Sequence, residues 1–539
     1  MFLLRRKTRL FSFLFIPIFL LKTITAYAAA PAIPFTINMS EPVAITGNPR
    51  IILDVDGSTR YATYSSGTGT STLTFTYTAT IGDVDLNGIS ISSNSIDLNG
   101  GTVQDLSGNA LANLTFTAPN TTNIKVNYPS LSMDFVYDAD GRYTLNGTAY
   151  NDLSSFLTAV GGTYGRGSQA TYYDSNGVMQ TASNNVPRFV YDPVSHVFKG
   201  ILIEANATNF MRRSEEIDNA LWTPQNATVT SNITTSPKSA TTAEAVIPDG
   251  TNNTHGVTYS GVDISFTSNF TVSVFAKAAG YNYAYINVFE NSLNRYAVFN
   301  LSTCTAGTTK ANITTTFTET IGNGWCRIGF SMPTPTRTTA NISLNVTTGD
   351  NITPFTGDAS SGVYFWGAQL EAYATKPTSY IATTTSTVSR NIDSLIIPSG
   401  GASWANGNTN TIYANFYHNG YGFACPTMID NGAFYAQIFT NGLTNLWNRI
   451  NTGGASTILS KTVAGDDQPI KNAYGWNTTS VASSINGAAA TTGTYTGPLG
   501  FSNLYIGGCG IYNQLQRAIG KISIYPVKIS NTQLQLLTQ

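Results

Sequence analysis

The chain has 539 residues, of which only 11% are charged, and its formal net charge is −1. This length exceeds what one hydrophobic core usually organises, so we expect about three domains. A near-neutral chain lacks the basic surface that nucleic acid requires, which excludes nucleic acid as a partner. Ser, Thr, Asn and Gly replace charge, and 12% of residues are aromatic. This composition favours polar-faced strands joined by tight turns and predicts an all-β fold.

The N-terminus has the pattern of an export signal. Basic residues between Arg5 and Arg9 precede an apolar segment from Leu10 to Leu21, and Ala26-Tyr27-Ala28 follows. The apolar segment is shorter than the roughly 20 residues of a membrane-spanning helix. We therefore predict a signal peptide over 1–28 and a secreted or cell-surface mature chain without a membrane span. A short membrane anchor is the alternative.

Residues 29–128 alternate strand-like runs with turn residues, which predicts a β-sandwich. The segments SEPVAITGNPRIILDVDGSTRYATYSSGTGTSTLTFTYTATIGDVDLNGISI and LNGGTVQDLSGNALANL resemble the bacterial immunoglobulin-like repeat of large surface adhesins. The resemblance implies an immunoglobulin-like sandwich over 29–128 that acts as a spacer.

A possible calcium loop lies in this first module. Asp83, Asp85 and Asn87, followed by Gly88, have the D-x-D-x-N-G spacing that directs alternate oxygens to one side. The twelfth position is Asn94 rather than the glutamate of an EF-hand. Calcium is the one candidate cofactor, and the alternative is a polar hairpin turn held by Asx hydrogen bonds.

Residues 129–398 contain four informative blocks: GILIEANATNFMRRSEEIDNALW, FTVSVFAKAAG, IGNGWCRIGFSM and SGVYFWGAQLEAYATKPTSYIATTTSTVSR. Together they resemble the jelly-roll module of phage head spikes and tail fibres, which is similar to carbohydrate-binding β-sandwiches. The resemblance implies a jelly roll over 129–398 with an N-terminal lead-in. It supplies no binding residues, because that family has no fixed set of them.

Three alternating tyrosines are the first candidate ligand site. Tyr281, Tyr283 and Tyr285 occur in YNYAY, so a strand would direct all three to one face. Tyrosines on an open sheet can stack on sugar rings and hydrogen-bond through their hydroxyls. The alternative is an ordinary half-buried sheet face.

Residues 399–539 are predicted to form a third module, because the composition shifts to Gly and Ser at Pro398. The segments VASSING, LYIGG and AIGKISIYPVKISNTQLQLLTQ resemble concanavalin A-like, laminin-G-type lectin sandwiches. The resemblance implies a lectin-like sandwich that ends in a strand at Lys521 and a helix capped near Ser530. Trp447 and Trp476 are the second candidate ligand site.

Four cysteines occur, two in each of the last two predicted modules. An even count per module in an exported chain favours bridges within modules, Cys304 to Cys326 and Cys425 to Cys509. Sequence alone permits three pairings, and four thiols remain an alternative.

Catalytic patterns are scarce. The chain has three histidines, no H-E-x-x-H or G-x-S-x-G motif, and no glutamate after Glu371. A glycosidase needs two neighbouring carboxyl groups. We therefore expect a non-catalytic protein that recognises glycans or a cell surface. The alternatives are a phage tail-fibre or head-spike protein with a structural or receptor-binding role, and a polysaccharide-acting enzyme.

Overall fold

The computed structural model describes residues 30–111, 113–136, 142–290, 292–310, 312–373, 375–399, 404–417, 423–430, 435–441, 445–451, 456–463, 468–497, 502–508 and 517–539. The predicted signal peptide lies outside these residues. The described chain is almost entirely β-structure, which confirms the all-β prediction of tandem sandwiches. No helix within the described ranges is long and apolar enough to cross a membrane.

The first compact unit comprises Ala30–Ala79 and Asp83–Asn127. Its strands are β1 (Ala32–Thr46), β2 (Arg50–Val55), β3 (Ser58–Ser66), β4 (Thr70–Thr78), β5 (Val84–Asp85), β6 (Ser90–Ile91), β7 (Thr102–Asp105) and β8 (Val126–Asn127). Six of them form an antiparallel sheet in the order β6-β2-β3-β4-β1-β7, and β5 pairs with β8. In β2, Ile51, Leu53 and Val55 are buried, which is the two-residue period of a sheet with one covered face.

The second compact unit is formed almost entirely by Tyr128–Gln539. Its first elements are β9 (Leu131–Asp134), β10 (Tyr143–Leu145), β11 (Thr148–Tyr150), α1 (Leu153–Val160), β12 (Thr163–Gly165), β13 (Ala170–Tyr173), β14 (Met179–Ala182), β15 (Arg188–Tyr191) and β16 (Phe198–Ile203). Helix α1 begins where the Asp152 carboxylate accepts from Ser155 N, and it ends at Gly161 in the left-handed conformation.

The next elements are β17 (Ala207–Asn209), β18 (Trp222–Gln225), β19 (Ala227–Thr235), β20 (Thr241–Pro248), β21 (Asn252–Asn253), β22 (His255–Asp263), β23 (Phe270–Ala279), β24 (Tyr283–Glu290), β25 (Leu293–Asn300), β26 (Thr305–Thr309), β27 (Thr315–Thr320), β28 (Cys326–Met332), β29 (Thr339–Thr347), β30 (Phe355–Thr356), β31 (Gly362–Ala372) and β32 (Val388–Arg390). Twelve of these strands form two six-stranded antiparallel sheets, β18-β22-β29-β24-β25-β26 and β19-β20-β31-β23-β28-β27, while β17 pairs with β32 and β21 with β30. One apolar core lies between these sheets. We call residues 207–390 the inserted sandwich.

The last elements are β33 (Ser394–Pro398), β34 (Asn410–Tyr417), β35 (Phe423–Asp430), β36 (Tyr435–Asn441), β37 (Asn445–Asn451), β38 (Ser456–Thr462), β39 (Pro469–Trp476), β40 (Ser480–Ile485), β41 (Thr491–Thr494), β42 (Asn503–Ile506), β43 (Arg517–Tyr525) and α2 (Asn531–Leu537). Ser530 caps α2 by accepting from Gln533 N. The predicted terminal strand and capped helix are confirmed.

A second sandwich combines strands from both ends of this unit. One sheet runs β11-β10-β9-β43-β34-β39-β40-β41, with β16 also on β43 and β15 on β16. The other runs β12-β33-β42-β35-β36-β37-β38. Their facing residues and the apolar side of α1 share one core. We call this the host sandwich.

This pairing corrects the predicted modules 129–398 and 399–539. Strands β9 and β16 pair with β43, and β33 pairs with β42, so the host sandwich is built from residues 128–203 and 394–539. The composition shift after Pro398 falls between β33 and β34, two strands of this same sandwich. Pairing between residues more than 300 positions apart leaves no local mark in composition, which is why the sequence placed the boundary wrongly.

The chain leaves and re-enters the host sandwich at one point, where β17 pairs with β32. Glu204 and Asp393 are hydrogen-bonded there, with Glu204 N donating to the Asp393 carboxylate and Asp393 N to Glu204 O, both at 2.9 Å. Five buried side chains surround this crossing, and we call them the junction cluster: Arg166, Arg188, Arg390, Glu204 and Asp393. Arg188 bridges Glu204 and Asp393, and Arg166 also contacts Asp393.

Candidate functional site

The two sheets of the inserted sandwich have outer faces in different surroundings. The sheet containing β23 and β31 directs Phe275 and Trp366 outward, but both are buried against Met179 and Tyr380. The outer face of the other sheet is partly exposed, with Phe289 exposed and Tyr296 half-buried. A ligand surface on this sandwich therefore belongs on the sheet containing β24 and β25.

Strand β24 alternates cleanly. Ala284, Ile286 and Val288 are buried in the core, so Tyr283, Tyr285, Asn287 and Phe289 lie on the opposite face. The register with β25 places Asn300, Val298, Tyr296 and Asn294 directly across from them. We call this outward surface of β24 and β25 the tyrosine face.

A cleft of about 220 Å³ opens in the tyrosine face. Aromatic rings, amides and hydroxyl groups dominate its lining: Thr254, Tyr285, Asn287, Asn294, Tyr296, Val298, Thr347, Asn351, Ile352 and Thr353. The cleft is smaller than the roughly 300–1,000 Å³ of pockets that bury a drug-sized ligand. Its size suits one sugar residue or the end of a longer chain.

Hydrogen bonds hold the lining groups in place. The rings of Tyr285 and Tyr296 meet edge to face with centroids 5.8 Å apart. The Tyr296 hydroxyl donates to the Asn351 side chain at 2.9 Å. Asn287 Nδ2 donates to Asn294 Oδ1 at 3.2 Å. Because these rings and amides are already held in place, ligand binding would cost less side-chain entropy.

The cleft is electrically neutral. None of the described residues that line it is a carboxylate, a lysine or an arginine. Burial raises the pKa of the Tyr285 phenol above its ordinary value, so this hydroxyl stays protonated near neutral pH. A neutral cleft with rings and hydrogen-bonding groups can stack an apolar sugar face and satisfy the surrounding hydroxyls.

The structure separates the three predicted tyrosines. Tyr285 lines the cleft and is 7% exposed. Tyr283 shares its face and accepts a hydrogen bond from Asn300 Nδ2 at 3.1 Å. Tyr281 precedes β24, packs against Phe355 at the margin of the core, and accepts from Asp358 N. Only Tyr283 and Tyr285 therefore keep the predicted arrangement.

The two predicted tryptophans belong to different sheets of the host sandwich, and one faces the core whereas the other faces outward. Trp476 is fully buried in the host core, so its predicted surface role is wrong: its position in β39 directs it inward. Trp447 lies on the outward side of β37, half-buried, with its ring edge to face against Phe439 at 5.4 Å. The structure does not bring Trp447 to the tyrosine face, because they belong to different sandwiches.

The residues of the predicted calcium loop do not fit a cation. Both oxygens of Asp83 accept from Arg60, and the Tyr77 hydroxyl also donates to Asp83. Asp85 accepts from the backbone N–H groups of Asp56 and Gly88. These partners use the oxygens that calcium requires. Burial raises the pKa of Asp85, which further disfavours its charged form. The arrangement matches the alternative, a polar turn held by its own hydrogen bonds.

The three cysteines that the structure describes are all disulfide-bonded. Cys304 and Cys326 are joined by a disulfide with their Cα atoms 5.7 Å apart. Cys425 is also disulfide-bonded. Its predicted partner, Cys509, lies outside the described residues. The bridge between Cys304 and Cys326 ties the turn just before β26, in one sheet of the inserted sandwich, to the start of β28 in the other.

Sequence reasoning missed most of the cleft. Tyr296, Asn287 and Asn294 come from the same hairpin as the predicted tyrosines, and the alternation in LNRYAVFN was a usable signal. Asn351 and Thr353 come from the loop after β29. No sequence pattern connects that loop to β24, since strand order alone brings them together.

Comparisons with known proteins find distant similarity to β-sandwich structures. No protein-family model and no curated protein matches the chain. Among solved structures, it is similar to the carbohydrate-binding module of the Ruminococcus gnavus IT-sialidase, solved with α2,3-sialyllactose. The identity is 13%, the TM-score is 0.23, and the match covers 25% of this chain and 83% of that one.

Two further solved structures are similar to the chain. Domain 4 of an extracellular arabinanase from Geobacillus stearothermophilus, solved with arabinotriose, is 12% identical with a TM-score of 0.23, covering 30% of this chain and 82% of that one. Domains LG4-5 of the mouse laminin α1 chain are 10% identical with a TM-score of 0.18, covering 51% and 85%. At these values a function has to be argued from the site itself.

Proposed function

We propose that the chain is a glycan-recognition protein and that the cleft in the tyrosine face is its contact site. The observation that carries the proposal is the chemistry of this cleft. Two fixed tyrosine rings and several amides line a neutral depression in the tyrosine face. A neutral polar polymer such as a polysaccharide needs ring stacking and hydrogen bonds, because it offers no charge for electrostatic capture.

The test is glycan binding by the intact protein and by a Tyr296→Ala variant. Loss of one stacking ring should weaken binding about fivefold to tenfold, which corresponds to about 1–1.4 kcal/mol. The matched control is Tyr373→Ala, which removes a tyrosine that is 69% exposed and lies outside the cleft. It should leave affinity unchanged. Equal effects of the two substitutions, or no binding across a broad glycan array, would overturn the proposal.

The proposed role is non-catalytic. Glycosidic cleavage requires two carboxyl groups on either side of the scissile bond, whereas the described lining of the cleft consists of neutral side chains. We expect a glycan that binds to be recovered intact after long incubation. Release of shorter fragments or reducing ends, measured by chromatography, would assign the chain to the enzymes instead.

The proposed location is outside the cytoplasm. The basic and apolar N-terminus supports this proposal, and so does the disulfide between Cys304 and Cys326, since such bonds persist in oxidising compartments. N-terminal sequencing of the secreted or surface fraction should find a chain beginning near Ala29. Cytosolic protein with an intact Met1 would contradict the proposal.

A further inference from the structure

A second cavity, of about 190 Å³, lies where the inserted sandwich meets the host sandwich. We call it the junction cleft. The host contributes Tyr172, Tyr191 and Tyr417, and the inserted sandwich contributes Glu319 and Arg327. The segment 376–380 closes one side. The junction cleft is therefore distinct from the tyrosine face, which lies on the other sheet of the inserted sandwich.

The segment 376–380 is held rigidly. Thr378 donates from its backbone N to Glu371 at 3.0 Å, and Ser379 N donates to Glu204 at 2.8 Å. The Tyr380 carbonyl accepts from the Thr171 hydroxyl. Because both sandwiches hold this segment, the walls of the junction cleft are pre-organised.

Charge distinguishes the junction cleft from the neutral cleft. Its lining contains four cationic side chains and two carboxylates: Lys199, Lys376, Arg327, Arg517, Glu204 and Glu319. Lys199 is paired with Asp192 at 3.1 Å, and Arg188 and Ser379 bind the Glu204 carboxylate. The charges that remain in the lining are those of Lys376, Arg327 and Arg517 against Glu319. Behind Glu204, the junction cluster holds three arginines against two carboxylates.

This buried positive charge is incompletely paired. Arg327 is 5% exposed and donates to the Thr378 carbonyl at 2.8 Å, but its Nε has no hydrogen-bond partner among the described residues. All three guanidinium nitrogens of Arg390 likewise lack a hydrogen bond to the described part of the chain, although Nη1 lies 3.4 Å from the Glu204 carboxylate. Burying charged donors without acceptors is costly, and an anion beside Arg327 would reduce that cost. Arg390 does not line the cleft, so an anion there would act on it only through its charge.

We propose that the junction cleft binds a sugar that carries a carboxylate, with the carboxylate beside Arg327 and Lys376 and the ring against the tyrosines. Arginine and lysine supply the charge-assisted donors that a carboxylate prefers. Tyr172 and Tyr191 supply apolar ring surface on the host side. The protein then has two sugar sites of different chemistry, one neutral and one selective for acidic sugars.

The test compares methyl glucuronide with methyl glucoside on the intact protein by titration calorimetry. The two probes share their ring and differ in the carboxylate. We expect the glucuronide to bind at least about tenfold more tightly, a difference of about 1.4 kcal/mol, and to weaken as salt rises. Equal affinity for both probes, or no binding of the glucuronide, would overturn the proposal.

Three variants locate the site. Lys376→Gln should weaken glucuronide binding about fivefold, since it removes one charge-assisted contact. Lys125→Gln, an exposed lysine outside the lining, is the charge-matched control and should have no effect. Tyr296→Ala should also leave glucuronide binding intact. If Tyr296→Ala abolishes it, or if Lys376→Gln behaves like the control, the acidic sugar binds elsewhere and the proposal is wrong.

Discussion

At the residue scale, the position of a side chain in its strand determines whether it faces the core or the surface. Trp447 and Trp476 are the same residue type in two strands of one sandwich, yet one faces outward and the other is fully buried. Tyr281 and Tyr285 have the same strand parity, but Tyr281 lies before β24 begins, and only Tyr285 lines the cleft. A one-residue change of register reverses the face that a strand residue occupies.

Glu244 gives a pH-dependent prediction at this scale. Its side chain is buried in β20. Burial is the larger cause and the negative charge of nearby Asp218 the smaller cause that raise its pKa to about 8. A carboxyl group with a raised folded pKa stabilises the fold most when it is protonated. Between about pH 4.5 and about pH 8 the folded state binds a proton that the unfolded state has lost. Stability should therefore fall as pH rises through this interval, because proton binding becomes less favourable.

The measurement is the thermal midpoint at pH 5 and pH 8. Glu244→Gln keeps the shape but cannot ionise, so its midpoint should fall less than that of the unsubstituted protein over this interval. The matched control, Glu41→Gln, replaces an exposed glutamate of β1 and should leave the pH dependence as it was. Identical pH profiles for Glu244→Gln and the unsubstituted protein would contradict the assignment.

At the element scale, Gly367 in β31 allows an irregularity in the sheet that contacts the host sandwich. Gly367 interrupts the pairing of β31 with β23 in the left-handed conformation, with φ of 68°. A Cβ atom there would lie 2.9 Å from the Phe275 ring. This irregularity turns Trp366 and Phe275 outward together, where they pack against Met179 and Tyr380. One glycine thus helps dock the inserted sandwich on the host.

The disulfide between Cys304 and Cys326 gives a stability prediction at this scale. It joins residues 22 apart in sequence and links the two sheets of the inserted sandwich. Closing a loop of this length should stabilise the fold by about 3 kcal/mol through the unfolded state. Replacing both cysteines with alanine should lower the free energy of unfolding by about that amount in chemical denaturation. Ser302→Ala, in the same exposed turn, is the control, and an equal loss there would refute the role of the bridge.

At the scale of the whole molecule, the inserted sandwich interrupts the host at a point where its two ends are neighbours. Ala207 pairs with Arg390 across β17 and β32, so the gap left by removing the insertion is short. Removing residues 206–391 also removes Arg390, which leaves two arginines and two carboxylates in the junction cluster. The remaining host cluster is then balanced in charge.

This organisation predicts which pieces fold. A polypeptide that joins residue 205 to residue 392 through a short glycine linker should unfold cooperatively, because it retains both host sheets and their core. A polypeptide of residues 129–398 lacks β34 to β43 and should aggregate, since Leu131 and Met133 would lose the strands that cover them. Far-UV circular dichroism and thermal melts distinguish the two. A soluble, cooperative 129–398 fragment and an unfolded joined host would overturn the topology.

The sequence by itself determined the all-β class, the separate N-terminal unit near residues 29–128, the terminal strand and helix, and an alternating strand at Tyr283 and Tyr285. These features depend on local signals: alternation, turn residues and caps, which act within a few positions. Only the tertiary structure decided that the host sandwich is discontinuous and that Asn351 joins Tyr285 in one cleft. It also decided that Trp476 is core. Each of these depends on strand pairing between distant residues, and such pairing is set by the packing of whole faces.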